Sequence, residues 1–236
     1  MASKPLFLSL LTFFTLSSLG ALLWTSNNLY GRQSAKTDVS AVEIIEKITG
    51  EGATKIRFRN TSNKNINALQ VSVNGSVFIV EFLDADEPRR RLTPGGVYEE
   101  WFPTTSPNDI DVSVLAVVFA DKTGAGDARL VQEVLDTRQG VKKQLLRFGV
   151  LLRQAQASAN VDATKLNRLD AQLDGSVDDD PSDSGGVRLG QRKARQQIHH
   201  DLEALRRQIN TDPNFDIRTG LMVIEMRHNQ RVAEIQ

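Results

Sequence analysis

Residues 69 to 82 read LQVSVNGSVFIVEF, two alternating runs of apolar and polar residues joined by Asn74-Gly75. Both central residues of a type I′ turn need a positive φ angle, and asparagine and glycine adopt it most readily. The two-residue loop fixes the strand pairs as Val73 with Ser76, Val71 with Phe78 and Leu69 with Val80. The stretch therefore predicts an antiparallel hairpin with one apolar face, made of Leu69, Val71, Val73, Phe78, Val80 and Phe82.

Strand patterns continue on both sides of this hairpin. Residues 55 to 59 alternate, with Ile56 and Phe58 on one face and three cations on the other, which predicts an outer or edge strand. Residues 110 to 120 lose their alternation partway along, as expected of a central strand covered on both faces. Another element must therefore pack over the second face of that strand.

A turn and a further strand complete this part of the chain. Thr93-Pro94-Gly95-Gly96 places proline where φ is fixed and glycine where φ is positive, and it leads into VYEEWF at residues 97 to 102. Short strands with turns between them predict a small antiparallel β-sandwich over residues 38 to 123.

The segment IRFRNTSNKNINALQVSV, residues 56 to 73, resembles the opening of extracellular immunoglobulin-like modules, including the FxLYD-type domains of exported bacterial proteins. In those domains an Asn-Thr/Ser-x-Lys turn joins two strands. The resemblance covers only part of the chain and lacks the Cys and Trp pair of antibody-type domains. It implies an immunoglobulin-like sandwich and no activity.

Beyond this region the apolar spacing becomes an alternating three and four, which predicts a helical region over residues 124 to 236 and an α+β protein as a whole. The first helix runs from about Ala128 to Ala159, and only Arg138 departs from its apolar stripe. Asp162 caps a shorter second helix. The apolar stripes of these two helices are Val134, Val141, Leu145, Phe148, Leu152, Ala155 and Ala159, then Leu166, Leu169 and Leu173.

Residues 174 to 186 read DGSVDDDPSDSGG, which has almost nothing to bury and predicts a flexible acidic linker. A second long helix follows and stops near Pro213. A final helix starts at about Arg218. Their apolar stripes are Ile198, Leu202, Leu205 and Ile209, then Leu221, Ile224 and Val232.

The stripes of the two long helices are too apolar to stay in water. We expect the helices to pair with each other, to dock on the sheet or to self-associate as a coiled coil. The length of the linker favours an antiparallel helical hairpin. Gly140 and Gly149 should each weaken the first helix by about 1 kcal/mol relative to alanine.

The amino terminus carries the apolar run LFLSLLTFFTLSSLGALLW, residues 6 to 24, after Lys4. A helix of this length can just cross a bilayer core of about 30 Å. Small residues before Ala21 also fit a signal-peptide cleavage site, whereas Trp24 and Tyr30 fit an interfacial aromatic belt. Residues 1 to 30 therefore predict either a signal anchor or a cleaved signal peptide, with the body outside the cytoplasm, at the cell membrane or secreted.

The composition excludes several classes of protein. The chain has 236 residues, no cysteine and a formal net charge of +0. There is thus no disulfide framework and no thiolate metal site or nucleophile, and no overall field that would attract nucleic acid.

Asp121-Lys122-Thr123-Gly124 follows an apolar strand and matches the phosphorylated-aspartate motif of P-type ATPases. That chemistry also needs a parallel α/β domain, a Gly-Asp-Gly element and several membrane helices, none of which the sequence contains. Ala125 replaces the family's next threonine. A strand-ending turn that uses Asp121, Gly124 and Gly126 is the favoured interpretation.

Two acidic segments raise the possibility of calcium binding, because calcium prefers clustered carboxylate and carbonyl oxygens. The run from Asp178 to Asp180 fails the EF-hand pattern, since the sixth and twelfth positions are Asp183 and Leu189. The loop from Asp121 to Asp127 is the better candidate.

The histidines are His199, His200 and His228. Glu225 and His228 have the Glu-x-x-His spacing of di-iron bundles, but that motif occurs once where such sites need it twice. His199 shares a helix face with Glu203, and polar neighbours predict solvent exposure for that face.

A basic segment opens the second long helix, and two sequons precede it in the chain. The cations are Arg188, Arg192, Lys193 and Arg195, with Arg206 and Arg207 further along. They could bind anionic lipid, but a solvated helix face is the default. The sequons Asn60-Thr61-Ser62 and Asn74-Gly75-Ser76 have meaning only in a eukaryotic secretory pathway.

The sequence thus predicts a non-enzymatic envelope protein, anchored or secreted, whose helices mediate protein–protein interaction or self-association. No catalytic, cofactor-binding or metal-ligating residue is assigned, and no cofactor is expected. The partners expected are a protein or a second copy of the chain, and a membrane through residues 6 to 24, but no nucleic acid. The alternative is a calcium- or ligand-binding accessory module.

Overall fold

The computed structural model describes residues 39–50, 52–82, 92–103, 110–158, 162–175, 180–212 and 214–235. The protein is α+β, with two antiparallel sheets followed by helices. The strands are β1 (Val42–Gly50), β2 (Ala53–Asn60), β3 (Ile66–Val73), β4 (Ser76–Glu81), β5 (Val97–Pro103), β6 (Val112–Phe119) and β7 (Gly124–Gly126). The helices are α1 (Ala128–Gln156), α2 (Ala163–Gly175), α3 (Gly185–Thr211) and α4 (Ile217–Ile235).

The hairpin of β3 and β4 has the predicted register. Val73 pairs with Ser76, Val71 with Phe78 and Leu69 with Val80. Asn74 and Gly75 both have positive φ angles, 51° and 78°, as a type I′ turn requires. The six apolar side chains predicted for one face all lie in the core shared by the two sheets.

The sheets have the orders β1-β2-β5 and β4-β3-β6-β7. Ile56 and Phe58 point into the core between them, as predicted. Of the two positions predicted for this strand, outer or edge, the edge position is wrong, because β2 lies between β1 and β5. Its outward cations pair with acidic residues of both neighbours, as in Arg57 with Glu46 at 2.7 Å and with Glu99 at 3.5 Å. The alternating apolar and charged residues indicate only that one face of the strand is exposed to water. A central strand has such a face as well when its sheet is covered on one side.

Strand β6 is covered on both faces, as predicted. Val114 and Val117 face the sandwich core, while Ala116 and Val118 pack against α1 through Leu130 and Val134. The register with β3 shifts at Leu115, so this β-bulge also breaks the alternation. The next strand, β7, pairs with β6 and extends the sheet beyond the predicted boundary at residue 123.

The apolar stripes of the helices bury one another within the chain. Leu145, Phe148, Leu166, Leu202 and Leu221 belong to a single helical core. Helix α1 ends at Gln156, somewhat before the predicted Ala159, and Asp162 accepts a hydrogen bond from the Lys165 amide at the start of α2.

Helices α1 and α3 run parallel, and the predicted antiparallel hairpin is wrong. A Cβ on Gly186 would meet Glu133 and one on Gly190 would meet Val141, so residue numbers rise together along the two helices. Helix α4 runs antiparallel to α1, because Arg153 pairs with Glu225 while Arg218 bonds to Ser158. The physical reason is that α2 returns the chain, so α3 begins beside the start of α1.

Glycines let α1 and α3 approach closely. A Cβ on Gly140 would lie 2.0 Å from the Val187 carbonyl oxygen, and one on Gly190 would lie 1.9 Å from that of Thr137. Gly140 was expected only to weaken α1, but it is required for this contact. Gly186, Gly190 and Ala194 recur every four residues along α3, a small-residue spacing that the sequence displays.

The segment predicted as a flexible linker, residues 174 to 186, is not a free linker where the structure describes it: residues 174 and 175 end α2, and residues 185 and 186 begin α3. The Asp183 carboxylate accepts from Lys143 Nζ at 2.8 Å and from Gln191 Nε2 at 3.0 Å. Ser184 caps α3 and donates to Asp136 at 2.6 Å. These bonds fasten the segment to α1 and to the first turns of α3, which composition alone did not indicate.

The predicted anchor or signal peptide at residues 1 to 30 lies outside the described residues, as do Asp178 and Pro213. Among the described helices, none is long and apolar enough to cross a membrane.

Candidate functional site

Asp121 lies in the turn between β6 and β7 and is held by its neighbours. Its Oδ2 accepts from Lys64 Nζ at 2.8 Å, and its Oδ1 accepts from the Thr123 amide at 3.0 Å. These bonds, led by the one from Lys64, lower the pKa of Asp121 from 3.8 to about 2. The turn itself is made by Lys122, with a φ of 65°, while Gly124 and Gly126 belong to β7. The carboxylate is engaged in closing an antiparallel turn.

Asp127 has a different task from Asp121. Its Oδ1 accepts from the amides of Arg129 at 2.8 Å and Leu130 at 3.3 Å, so it is the N-cap of α1. Strand β7 separates it from Asp121 in the chain. Within the described ranges, no group of three or more acidic or histidine side chains is arranged to hold a metal ion.

Two clusters of a carboxylate, a histidine and an arginine join α3 to its neighbours. In the first, Asp170 of α2 contacts His199 Nδ1 and Arg206 Nη2, each at 2.6 Å. His199 is therefore bonded to a neighbouring helix while its side chain stays 35% exposed, so the prediction of ordinary solvent exposure missed its partner. His200, one residue further, is exposed.

The second cluster is buried. Asp201 of α3 contacts His228 Nε2 of α4 at 2.9 Å, and both side chains are 5% exposed. Gln197 donates to Asp201 at 3.1 Å, and Arg227 approaches it at 3.5 Å. Glu225 pairs instead with Arg153, so the Glu-x-x-His residues face different helices. Both clusters act as polar clamps between helices.

Several basic residues of α3 have separate surroundings. Arg188 donates to the Asp183 carbonyl and Arg206 to Asp170, while Arg207 is exposed. Burial lowers the pKa of Lys193, although the carboxylates of Glu81 and Glu133 oppose this shift. The side chain of Asn60, in the first sequon, is buried and donates to two carbonyl oxygens. The backbone of Asn74, in the second, forms the hairpin turn.

A surface that the sequence analysis missed lies on the outside of α1 and α4. Its members are large apolar side chains that remain 40% to 65% exposed: Leu146, Val150, Met222, Val223 and Met226. We call this the α1–α4 outer surface. Arg153 is one turn from Val150 on α1 and pairs with Glu225, which is one turn from Met222 on α4, so this ion pair joins the two helices beside the exposed apolar residues of each.

The polarity of α4 explains why this surface is unusual. Within the described helix, every exposed residue after Arg218 is uncharged, whereas the charged residues that follow are half-buried. A surface helix normally has the opposite arrangement, with charges facing water. The outward residues are Thr219, Met222, Val223, Met226, Asn229, Gln230 and Ala233, and we call them the outward face of α4. Five of them, at 219, 222, 226, 229 and 233, follow a three-four spacing that the sequence contains beside the buried stripe.

Comparisons with protein-family models, with curated proteins and with solved structures returned no match to this chain.

Proposed function

We propose that the protein is a non-enzymatic envelope protein, anchored in the membrane or secreted, that acts by protein–protein interaction. The observation that carries the proposal is the uncharged outward face of α4 beside the exposed Leu146 and Val150. Contiguous apolar patches on a soluble surface mark interaction sites more often than scattered residues do. Placement outside the cytoplasm rests on the apolar run at residues 6 to 24.

The interaction surface proposed here differs from the apolar stripes of the long helices, which were expected to pair or self-associate. The long-helix stripes are occupied by each other, so Leu145 and Leu202 are not available to a partner. The outward face of α4 remains accessible, with Met226 at 65% exposed. Methionine is flexible and polarizable, which suits it to contacts with another protein.

The sandwich is further proposed to be an immunoglobulin-like module. Its strand order supports this, because the first, second and fifth strands share one sheet while the third, sixth and seventh share the other. Constant-type immunoglobulin domains group these strands in the same way. The difference is β4, which pairs with β3 rather than with β5.

The compartment is tested by fusing a reporter that is active only outside the cytoplasm to the carboxyl terminus of the full chain. Active reporter is expected. An inactive reporter on a normally expressed fusion would overturn the location.

The interaction surface is tested by placing a photoreactive amino acid at position 226 of the full chain in its native membranes. Adducts with protein are expected on illumination. The matched control is position 207, an exposed site on α3. Adducts of equal yield at both positions, or none at 226, would contradict an interaction through this surface.

A further inference from the structure

We propose that Met222 and Met226 form an oxidation site, at which a hydroperoxide converts the two thioethers to sulfoxides and thereby weakens the interaction through the outward face of α4. This inference rests on the proposed function and adds a means of regulating the same surface. The oxidation itself needs no partner and is tested separately.

The two methionines are the most exposed of the large apolar side chains in the described residues. Met226 is 65% exposed and Met222 is 57% exposed. Leu221, the residue before Met222, is 0% exposed because it points into the helical core. A small reagent in solution therefore reaches both methionine side chains but not their immediate neighbour.

The sulfur content of the chain directs an oxidant to these two residues. The sequence has three methionines and no cysteine, so no thiol competes for the oxidant. Met222 and Met226 are four residues apart and therefore project from the same side of α4. The remaining methionine, Met1, lies outside the described residues. The described part of the chain thus offers its thioethers as one adjacent pair.

The chemistry at each methionine is a two-electron transfer of oxygen. The sulfur lone pair attacks one oxygen of the hydroperoxide, the O–O bond breaks and an S–O bond forms. The sulfur is oxidised and the peroxide is reduced, so that hydrogen peroxide yields one sulfoxide and one molecule of water. A dithiol reductant reverses the change, because the two thiols become a disulfide and the sulfoxide oxygen leaves as water.

Oxidation changes the centre of the outward face without a change in the fold. Met222, Val223 and Met226 form the apolar centre of this face, between Thr219 and Asn229. A sulfoxide oxygen accepts hydrogen bonds, and an acceptor that is covered by a partner without receiving one costs binding free energy. Both side chains project into solvent, so the sulfoxides displace no core residue. The expected effect is on the interaction and not on the stability of α4.

The oxidation site is tested on the purified full chain in detergent. Leu221→Met supplies a buried thioether on the same helix, and this variant is treated with hydrogen peroxide, digested and examined by mass spectrometry. Positions 222 and 226 should be oxidised at least about tenfold faster than position 221, which reacts only when the helix opens. In concentrated urea all three positions should react equally, and circular dichroism of the oxidised folded chain should be unchanged.

Two results would overturn the oxidation site. One is an equal rate at positions 221, 222 and 226 in the folded chain. The other is a loss of helical circular dichroism when positions 222 and 226 are oxidised, because the modification would then act on the fold.

The effect on the interaction is tested with a photoreactive amino acid at position 223 of the full chain in its native membranes. Glutamine is close in length to methionine sulfoxide and carries an acceptor oxygen, so Met222→Gln with Met226→Gln imitates the oxidised state. The yield of protein adducts should fall by about tenfold. The matched control, Met222→Leu with Met226→Leu, keeps the face apolar and should retain the yield.

The outcomes separate this inference from the proposed function. Equal adduct yields from the glutamine and leucine variants would overturn regulation by oxidation, while adducts from the chain with both methionines would still support the interaction. If that chain gives no adducts, the proposed function and the regulatory role fail together. The oxidation site is then decided by the relative rates at positions 221, 222 and 226 alone.

Discussion

Arg138 shows how one residue joins the two parts of the molecule. It interrupts the apolar stripe of α1, yet its side chain is only 9% exposed and lies 2.8 Å from Glu81 of β4. It also donates to the Asn67 carbonyl oxygen of β3 at 2.9 Å. A residue that broke the helical pattern is therefore the polar link between helix and sheet.

Replacing Arg138 by methionine should lower the free energy of unfolding by about 1.5 to 3 kcal/mol, the range for hydrogen bonds to charged groups. Urea unfolding of the full chain measures the loss. Arg207→Met, on an exposed side chain, is the control and should stay within about 0.5 kcal/mol of wild type. Because Arg138 and Glu81 share one interaction, adding Glu81→Gln to Arg138→Met should cost less than the sum of the single changes. If the free-energy losses of the two single variants add up to that of the double variant, the Arg138–Glu81 pair contributes nothing to stability.

Asp121 gives a pH dependence with a defined sign. Its pKa in the folded protein, about 2, is below the usual 3.8. The stabilisation is therefore complete above pH 3.8 and is lost as the pH falls toward 2. The melting temperature of Asp121→Asn should fall less over this window than that of the wild type. Asp111→Asn, which alters an exposed carboxylate one residue before β6, serves as the control. Parallel curves for wild type and Asp121→Asn would contradict the role of Lys64 and Thr123.

At the scale of the elements, α1 is the helix that decides the arrangement. One end covers β6 through Val134, and the rest packs on α3 and α4. Its two glycines looked equivalent in the sequence, but only Gly140 lies where α3 crosses.

The two glycines should respond to alanine with opposite signs. In Gly140→Ala the new Cβ would lie 2.0 Å from the Val187 carbonyl oxygen, so the helices must separate, and the cost should be about 1 to 3 kcal/mol. In Gly149→Ala the nearest atom is the mobile end of Arg153 at 3.5 Å, and better helix propensity should add about 0.5 to 1 kcal/mol. Urea midpoints compare the two directly. If both variants shift the urea midpoint in the same direction, the close contact between α1 and α3 at Gly140 is contradicted.

At the scale of the whole molecule, sheet and helices share an interface of Ala68, Val118 and Val134. Ala68 and Val118 would be exposed to water if α1 left the sheet. The two parts should therefore unfold together rather than as independent domains.

Thermal unfolding with two probes tests this cooperativity. Trp101 fluorescence reports on the sheet, with Trp24 replaced by phenylalanine, and far-ultraviolet circular dichroism reports mainly on the helices. The two transitions should coincide. Val134 is 1% exposed, and Val134→Ala should lower the free energy of unfolding by about 2 kcal/mol. The midpoint temperatures reported by the two probes should therefore fall by the same amount. Separate transitions, or a shift in one probe only, would show independent domains.

Local rules were enough to predict much of this architecture from sequence. Asn74-Gly75 specified a turn and register because few residues adopt positive φ, and Leu145, Leu202 and Leu221 marked buried helix faces because apolar spacing follows the helical period. Tertiary structure decided what depends on residues distant in the chain. The parallel course of α1 and α3 follows from contacts at Gly140 and Gly190, which no local pattern ties together. The candidate surface was missed for a similar reason: α4 has apolar residues on two sides, and only packing against α1 and α3 determines which side stays in water.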